Sequence, residues 1–123
     1  MILRMSNERR IVITGIGPVT PCGIGINDFW NSLKAGKSGI TYLDSPVDSH
    51  GIESPVKFGG EIKNFNVENY FSDPKQIRSM NKDMDKVSQF AMVAAKLAIE
   101  DAGLDFDALQ EQGVARDRIG TFV

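Results

Sequence analysis

Apolar and polar residues fall in blocks along this chain, and the blocks predict an α/β protein. Ile11, Val12 and Ile13 form an unbroken β-branched run that Thr14-Gly15 closes. Such a run predicts a strand buried on both faces, as in a parallel sheet. Gly15, Gly17, Pro18, Pro21, Gly23 and Gly25 then predict a loop that turns sharply more than once. Asn27 is placed to cap a helix, with Asp28 in its first turn, an apolar face of Phe29, Trp30 and Leu33, and a stop at Gly36. From residue 37 to about 74 turn signals recur, with a strand expected at 56–62.

Residues 75–102 read as strongly helical. Phe90, Ala94 and Leu97 recur at helical spacing, as do Val87, Ala91, Ala94 and Ala98. The alanines make a smooth surface that another element can approach closely. Gly103 fits a left-handed stop, and Leu104 the apolar contact after it. A short acidic stretch follows over 105–112, and Ile119, Gly120, Thr121, Phe122 and Val123 read as a second apolar strand. The order strand–helix–helix–strand predicts two parallel neighbours joined by a right-handed crossover. Two strands and two helices bury little by themselves. The expectation is therefore an incomplete sheet, with apolar surface left open and a tendency to aggregate.

Composition narrows the function classes. The chain has 123 residues, 41% hydrophobic and 24% charged, with a net charge of −2. One domain fits that length, and the charge argues against a surface that tracks nucleic-acid phosphates. No apolar run is long enough to span a membrane, and no secretory leader is evident. With one cysteine, Cys22, and one histidine, His50, neither an internal disulfide nor a four-ligand structural zinc site can form. A cytoplasmic protein without structural metal is expected.

Four features could carry chemistry. Thr14-Gly15-Ile16-Gly17 after a strand resembles the start of a dinucleotide fingerprint, but the third glycine position is Thr20 and the next helix begins too far along. A tight turn below a sheet edge is the preferred reading of these glycines. Cys22 lies in a Pro/Gly loop, away from any helix N-terminus or histidine, and reads as a half-buried structural side chain rather than a nucleophile. His50, between Ser49 and Gly51, reads as a solvated loop residue. Lys75, Arg78, Lys82 and Lys86 recur at spacings of three and four, which places them on one helical face. That stripe is either a solvated face or a docking surface for an acidic partner.

The run from Arg9-Arg10-Ile11-Val12-Ile13-Thr14-Gly15-Ile16-Gly17 to Pro21 resembles the opening of the elongating, type II β-ketoacyl synthases. Leu33-Lys34-Ala35-Gly36-Lys37-Ser38-Gly39-Ile40 and Phe58-Gly59-Gly60-Glu61-Ile62-Lys63-Asn64-Phe65 continue the likeness. So do Met84-Asp85-Lys86, Gln89-Phe90-Ala91, the stretch from Ala98 to Leu104, and Arg118-Ile119-Gly120. Cys22 departs from the family, which has an aliphatic residue there, and the segment from Ser79 to Asp83 is longer than the family's basic turn. The resemblance implies a thiolase-like fold, layered α-β-α-β-α when complete, in a homodimer. It implies decarboxylative condensation of a malonyl-carrier thioester with an acyl group held on a cysteine, with two histidines and a lysine in support and no cofactor. None of those reactive residues matches a position in this chain, so no catalytic residue is assigned and no condensing activity is expected of it alone. Lys75, Arg78, Lys82 and Lys86 become candidates for holding the acidic acyl carrier protein. Two alternatives stand beside this reading: a non-catalytic carrier-docking module and a small nucleotide-binding α/β domain.

Overall fold

A computed structural model describes residues 11–43, 50–53 and 55–120. Its first paired element is a tight antiparallel hairpin, β1 (Val19–Thr20) with β2 (Gly23–Ile24), in register Val19 opposite Ile24 and Thr20 opposite Gly23. Thr20 fixes the two-residue turn: its hydroxyl donates to the Gly23 carbonyl at 3.0 Å and accepts from the Cys22 N–H at 3.2 Å. The ladder ends where the Gly25 N–H donates to the Pro18 carbonyl at 2.8 Å.

Helix α1 (Ile26–Lys34) starts one residue before the expected cap. Gly25 takes the N-cap position, so Asn27 is inside the helix and does not cap it, while Asp28 does lie in the first turn. Gly36 ends it as expected, at φ 64°, with its own N–H on the Leu33 carbonyl and the Lys37 N–H on the Ser32 carbonyl. That is the paired-carbonyl stop a left-handed glycine provides. The apolar face of α1 is only partly covered: Phe29 is half-buried, whereas Trp30 remains 57% exposed.

A second antiparallel pair joins β3 (Ile40–Tyr42) to β4 (Phe58–Gly60), with Ile40 opposite Gly60 and Tyr42 opposite Phe58. The strand expected over 56–62 is thus present in shorter form, and β3 adds a partner that the turn-rich composition concealed. Asn66 caps a single 3₁₀ turn (Val67–Asn69), its side chain accepting from the Glu68 N–H at 3.0 Å. Helices α2 (Pro74–Asp83), α3 (Lys86–Asp101) and α4 (Phe106–Glu111) follow. Each opens on an aspartate whose carboxylate accepts first-turn N–H groups: Asp73, Asp85 and Asp105 respectively. Helix α3 stops at Gly103, as expected, with the Leu104 N–H on the Ile99 carbonyl.

Four expectations are corrected. Residues 75–102 are two helices, not one. Met84 (φ −114°, ψ 139°) and Asp85 (φ −72°, ψ 169°) are both extended between them, because Asp85 caps the second helix instead of continuing the first. Ile11–Ile13 form no strand: with no neighbour to complete their hydrogen bonds and no layer over either face, Ile11 stays 96% and Ile13 86% exposed. Ile119 and Gly120 likewise form no strand, and residues 121–123 of that expected element lie outside the described residues. Among the described residues both sheets are antiparallel two-stranded pairs, so the parallel crossover is absent there.

Among the described residues Val67, Met80 and Val93, one each from the 3₁₀ turn, α2 and α3, are the fully buried apolar side chains. Phe65 extends this cluster, edge-on to Phe90 at 4.6 Å and stacked with Tyr70 at 6.2 Å between ring centres. The helical period placed Val87 and Ala91 on the core side of α3, yet both are exposed, and Gln89 and Val93 are buried instead. On the row that carries Val87 and Ala91, only the N-terminal end is open; Ala94 and Ala98, further along it, are half-buried. No helix among the described residues is long and apolar enough to cross a membrane.

Candidate functional site

The basic stripe is split by the helix break. Lys75, Arg78 and Lys82 are exposed on α2, whereas Lys86 is the first residue of α3. The four-residue face read from spacing is therefore corrected to three residues plus one set apart. On α2 the three basic positions lie within about 60° of one another, and roughly opposite Ile77 and Met80, at about 100° per residue. Burial agrees: Met80 is buried and Ile77 half-buried, so packing turns the inner face of α2 to the core and the basic stripe to solvent.

Arg78 and Lys82 line one depression of about 570 Å³ together with Glu68, Pro74, Ile77 and Asn81. Lys86 lines another, of about 730 Å³, with Lys63, Phe65 and Phe90. There its ammonium lies 5.6 Å from the centre of the Phe65 ring, close enough for a cation–π attraction. Lys63 was not singled out from sequence; it lies in the family-like stretch ending at Phe65, but no periodic signal links it to Lys86. Burial, and secondarily the charge of Asp28, push the nearby Tyr70 phenol above its ordinary value of 10.0.

Cys22 sits half-buried in the β1–β2 turn, its Sγ 3.9 Å from the Lys37 carbonyl oxygen. The half-buried structural role expected of it matches this position. His50 is exposed in a turn. Among the described residues no three Asp, Glu, His or Cys side chains are grouped to hold a metal ion.

Gly15 and Gly17 serve a purpose other than a tight turn or a phosphate cradle. A Cβ added at Gly15 would lie 2.4 Å from the Ala98 carbonyl oxygen, and one at Gly17 would lie 2.0 Å from that of Ala94. Two residues of extended chain and one helical turn are similar in length, about 6 Å. The loop therefore runs back along α3 with each glycine one turn from the next. The expected close approach to the alanine face is met by these two glycines.

Residues 8–123 match the family model described as "Beta-ketoacyl synthase, N-terminal domain", and the chain belongs to that family. Its relatives include the 3-oxoacyl-[acyl-carrier-protein] synthase 2 of Staphylococcus aureus (strain COL), 36% identical over 119 residues, which are 97% of this chain and 26% of that protein. The corresponding synthase 2 of a Synechocystis species is 34% identical over 119 residues, 94% of this chain and 25% of its own length. The tetracenomycin polyketide synthase ketoacyl synthase beta subunit of Streptomyces glaucescens is 36% identical over 110 residues, 89% of this chain and 25% of its own. The chain spans about a quarter of the length of these relatives.

Proposed function

We propose that this chain supplies part of the N-terminal domain of a condensing enzyme of fatty-acid or polyketide synthesis. The observation that carries this is the family match over residues 8–123. On this reading the complete protein is a cytoplasmic homodimer with the layered thiolase-like fold. It joins a malonyl-carrier thioester to an acyl group with loss of carbon dioxide, giving a 3-oxoacyl product. On this reading no residue of this chain takes a chemical role, because none matches a reactive position of the family and Cys22 lies in the hairpin turn. Incubation of the chain with acyl- and malonyl-carrier thioesters should therefore yield no 3-oxoacyl product. Formation of that product would overturn the assignment.

The role left to this chain is docking. Lys75, Arg78 and Lys82, exposed on α2, offer a cationic face to an acidic acyl carrier protein, with Lys86 as an outlying contact. A basic rim around the half-buried Ile77 combines attraction with an apolar foothold. The same surface supports the second reading, a non-catalytic docking module. Carrier binding by the isolated chain that weakens with added salt supports docking on either reading, and no measurable binding at low ionic strength removes it.

A further inference from the structure

Gln89 is the one polar side chain buried among the described residues, only 4% exposed. It lies in the first turn and a half of α3, yet its side chain serves α2. The Nε2 group donates to the Met80 carbonyl at 3.0 Å and to the Met84 carbonyl at 3.2 Å. Both carbonyls belong to the C-terminal end of α2, and that of Met84 lies beyond the last N–H the helix supplies. The Met80 carbonyl also receives the Met84 N–H, at 3.3 Å. The Met84 carbonyl cannot receive the Ser88 N–H, because that group donates to the Asp85 carboxylate.

Only Met84 and Asp85 join the two helices, both extended. Burial of Met80 and half-burial of Ile77 set which face of α2 turns inward, but apolar contacts are non-directional and do not fix its angle to α3. Two hydrogen bonds from one planar amide remove that freedom. The amide's Oε1 is buried with no hydrogen-bond partner among the described residues. A half-satisfied amide adds little net stability, so its contribution is geometric. We infer that Gln89 is a positioning residue that fixes the orientation of α2, and with it the stripe Lys75, Arg78 and Lys82, relative to Lys86 on α3. The consequence for carrier binding rests on the docking reading above.

The test has two arms on the full chain. In the unaltered chain, the Gln89 side-chain amide protons should exchange with water at least about a hundredfold more slowly than those of exposed Gln76, as protected groups do. Equal exchange overturns the inference, and this arm needs no variant to fold. In Gln89→Met, exchange of the backbone amides of Lys82 and Met84 should accelerate about tenfold while those of Val93 and Leu97 stay unchanged. A uniform change across both helices, or none, overturns the inference by reducing Gln89 to a general stabiliser. Carrier affinity, compared at equal folded fraction, should fall about fivefold. Unchanged affinity with a loosened α2 overturns the positioning role. If the unaltered chain binds no carrier while both exchange results hold, the docking reading fails and Gln89 still orients α2.

Discussion

The Ile16 N–H donates to the Asp101 carboxylate at 2.9 Å, joining positions 85 residues apart. This bond stands beside the approach of Gly15 and Gly17 to the backbone of α3, and the two observations explain each other. Only a chain without side chains at 15 and 17 comes near enough for residue 16 to reach the last turn of the helix. Gly17→Ala should cost at least about 3 kcal/mol, because the intruding methyl meets backbone that cannot rotate away. Gly36→Ala is the internal control. It has open space around it but φ 64°, so only backbone strain of about 1 kcal/mol applies. Urea denaturation of both variants should reproduce this order, and equal losses would contradict the packing argument.

The cap of α3 makes a pH prediction. The Ser88 backbone N–H, and after it the Ser88 hydroxyl, hold the Asp85 carboxyl below its ordinary value of 3.8. In the unfolded chain those bonds are gone and the ordinary value returns. The folded state is therefore favoured while Asp85 is ionised. That contribution is complete above the ordinary aspartate range and is lost as pH falls through the depressed folded value. Asp85→Asn keeps a good capping side chain without the titration. Its urea midpoint should fall less than that of the parent chain between about pH 5 and pH 2. Parallel curves would rule out the linkage.

Charge reversal separates the two basic groups. Arg78→Glu or Lys82→Glu should weaken carrier binding about three- to tenfold at low salt and flatten its salt dependence. Lys86→Glu should do less, since Lys86 lies over the Phe65 ring on a different helix. Fluorescence titration with labelled carrier protein measures all three. An effect of Lys86→Glu equal to that of Lys82→Glu would restore the single four-residue face that spacing alone suggested.

Legibility in the sequence followed the locality of the cause. Gly36 and Gly103 were readable as helix stops because a left-handed C-cap depends on one residue and its neighbours. The family was readable because its signature is local, in the stretches around Ile11, Phe58 and Met84-Asp85. The break between α2 and α3 was hidden: Asp85 continues a plausible charge pattern, and its capping bond to Ser88 leaves no trace in apolar periodicity. Gln89 was hidden too, since a polar residue in a helix reads as exposed until a second helix offers it carbonyls. Of the docking candidates, Lys75, Arg78 and Lys82 were placed together correctly on one face, and Lys86 was not, for the same reason that the helices were merged.

The run Ile11, Val12 and Ile13 gives the last prediction. Its three side chains are 96%, 64% and 86% exposed, so none contributes appreciably to a core among the described residues. Three adjacent β-branched residues with open backbone hydrogen-bonding groups are also a template for edge-to-edge pairing. A charge there should interrupt self-association without weakening the fold. Ile13→Lys should leave the urea midpoint of the chain unchanged, within about 0.5 kcal/mol, while raising the concentration at which light scattering begins. Val93→Lys is the opposite case: Val93 is 0% exposed, and an unpaired ammonium at that position should unfold the helical half of the chain. If Ile13→Lys lowers stability as Val93→Lys does, the run is packed in solution and its exposure is not what drives association.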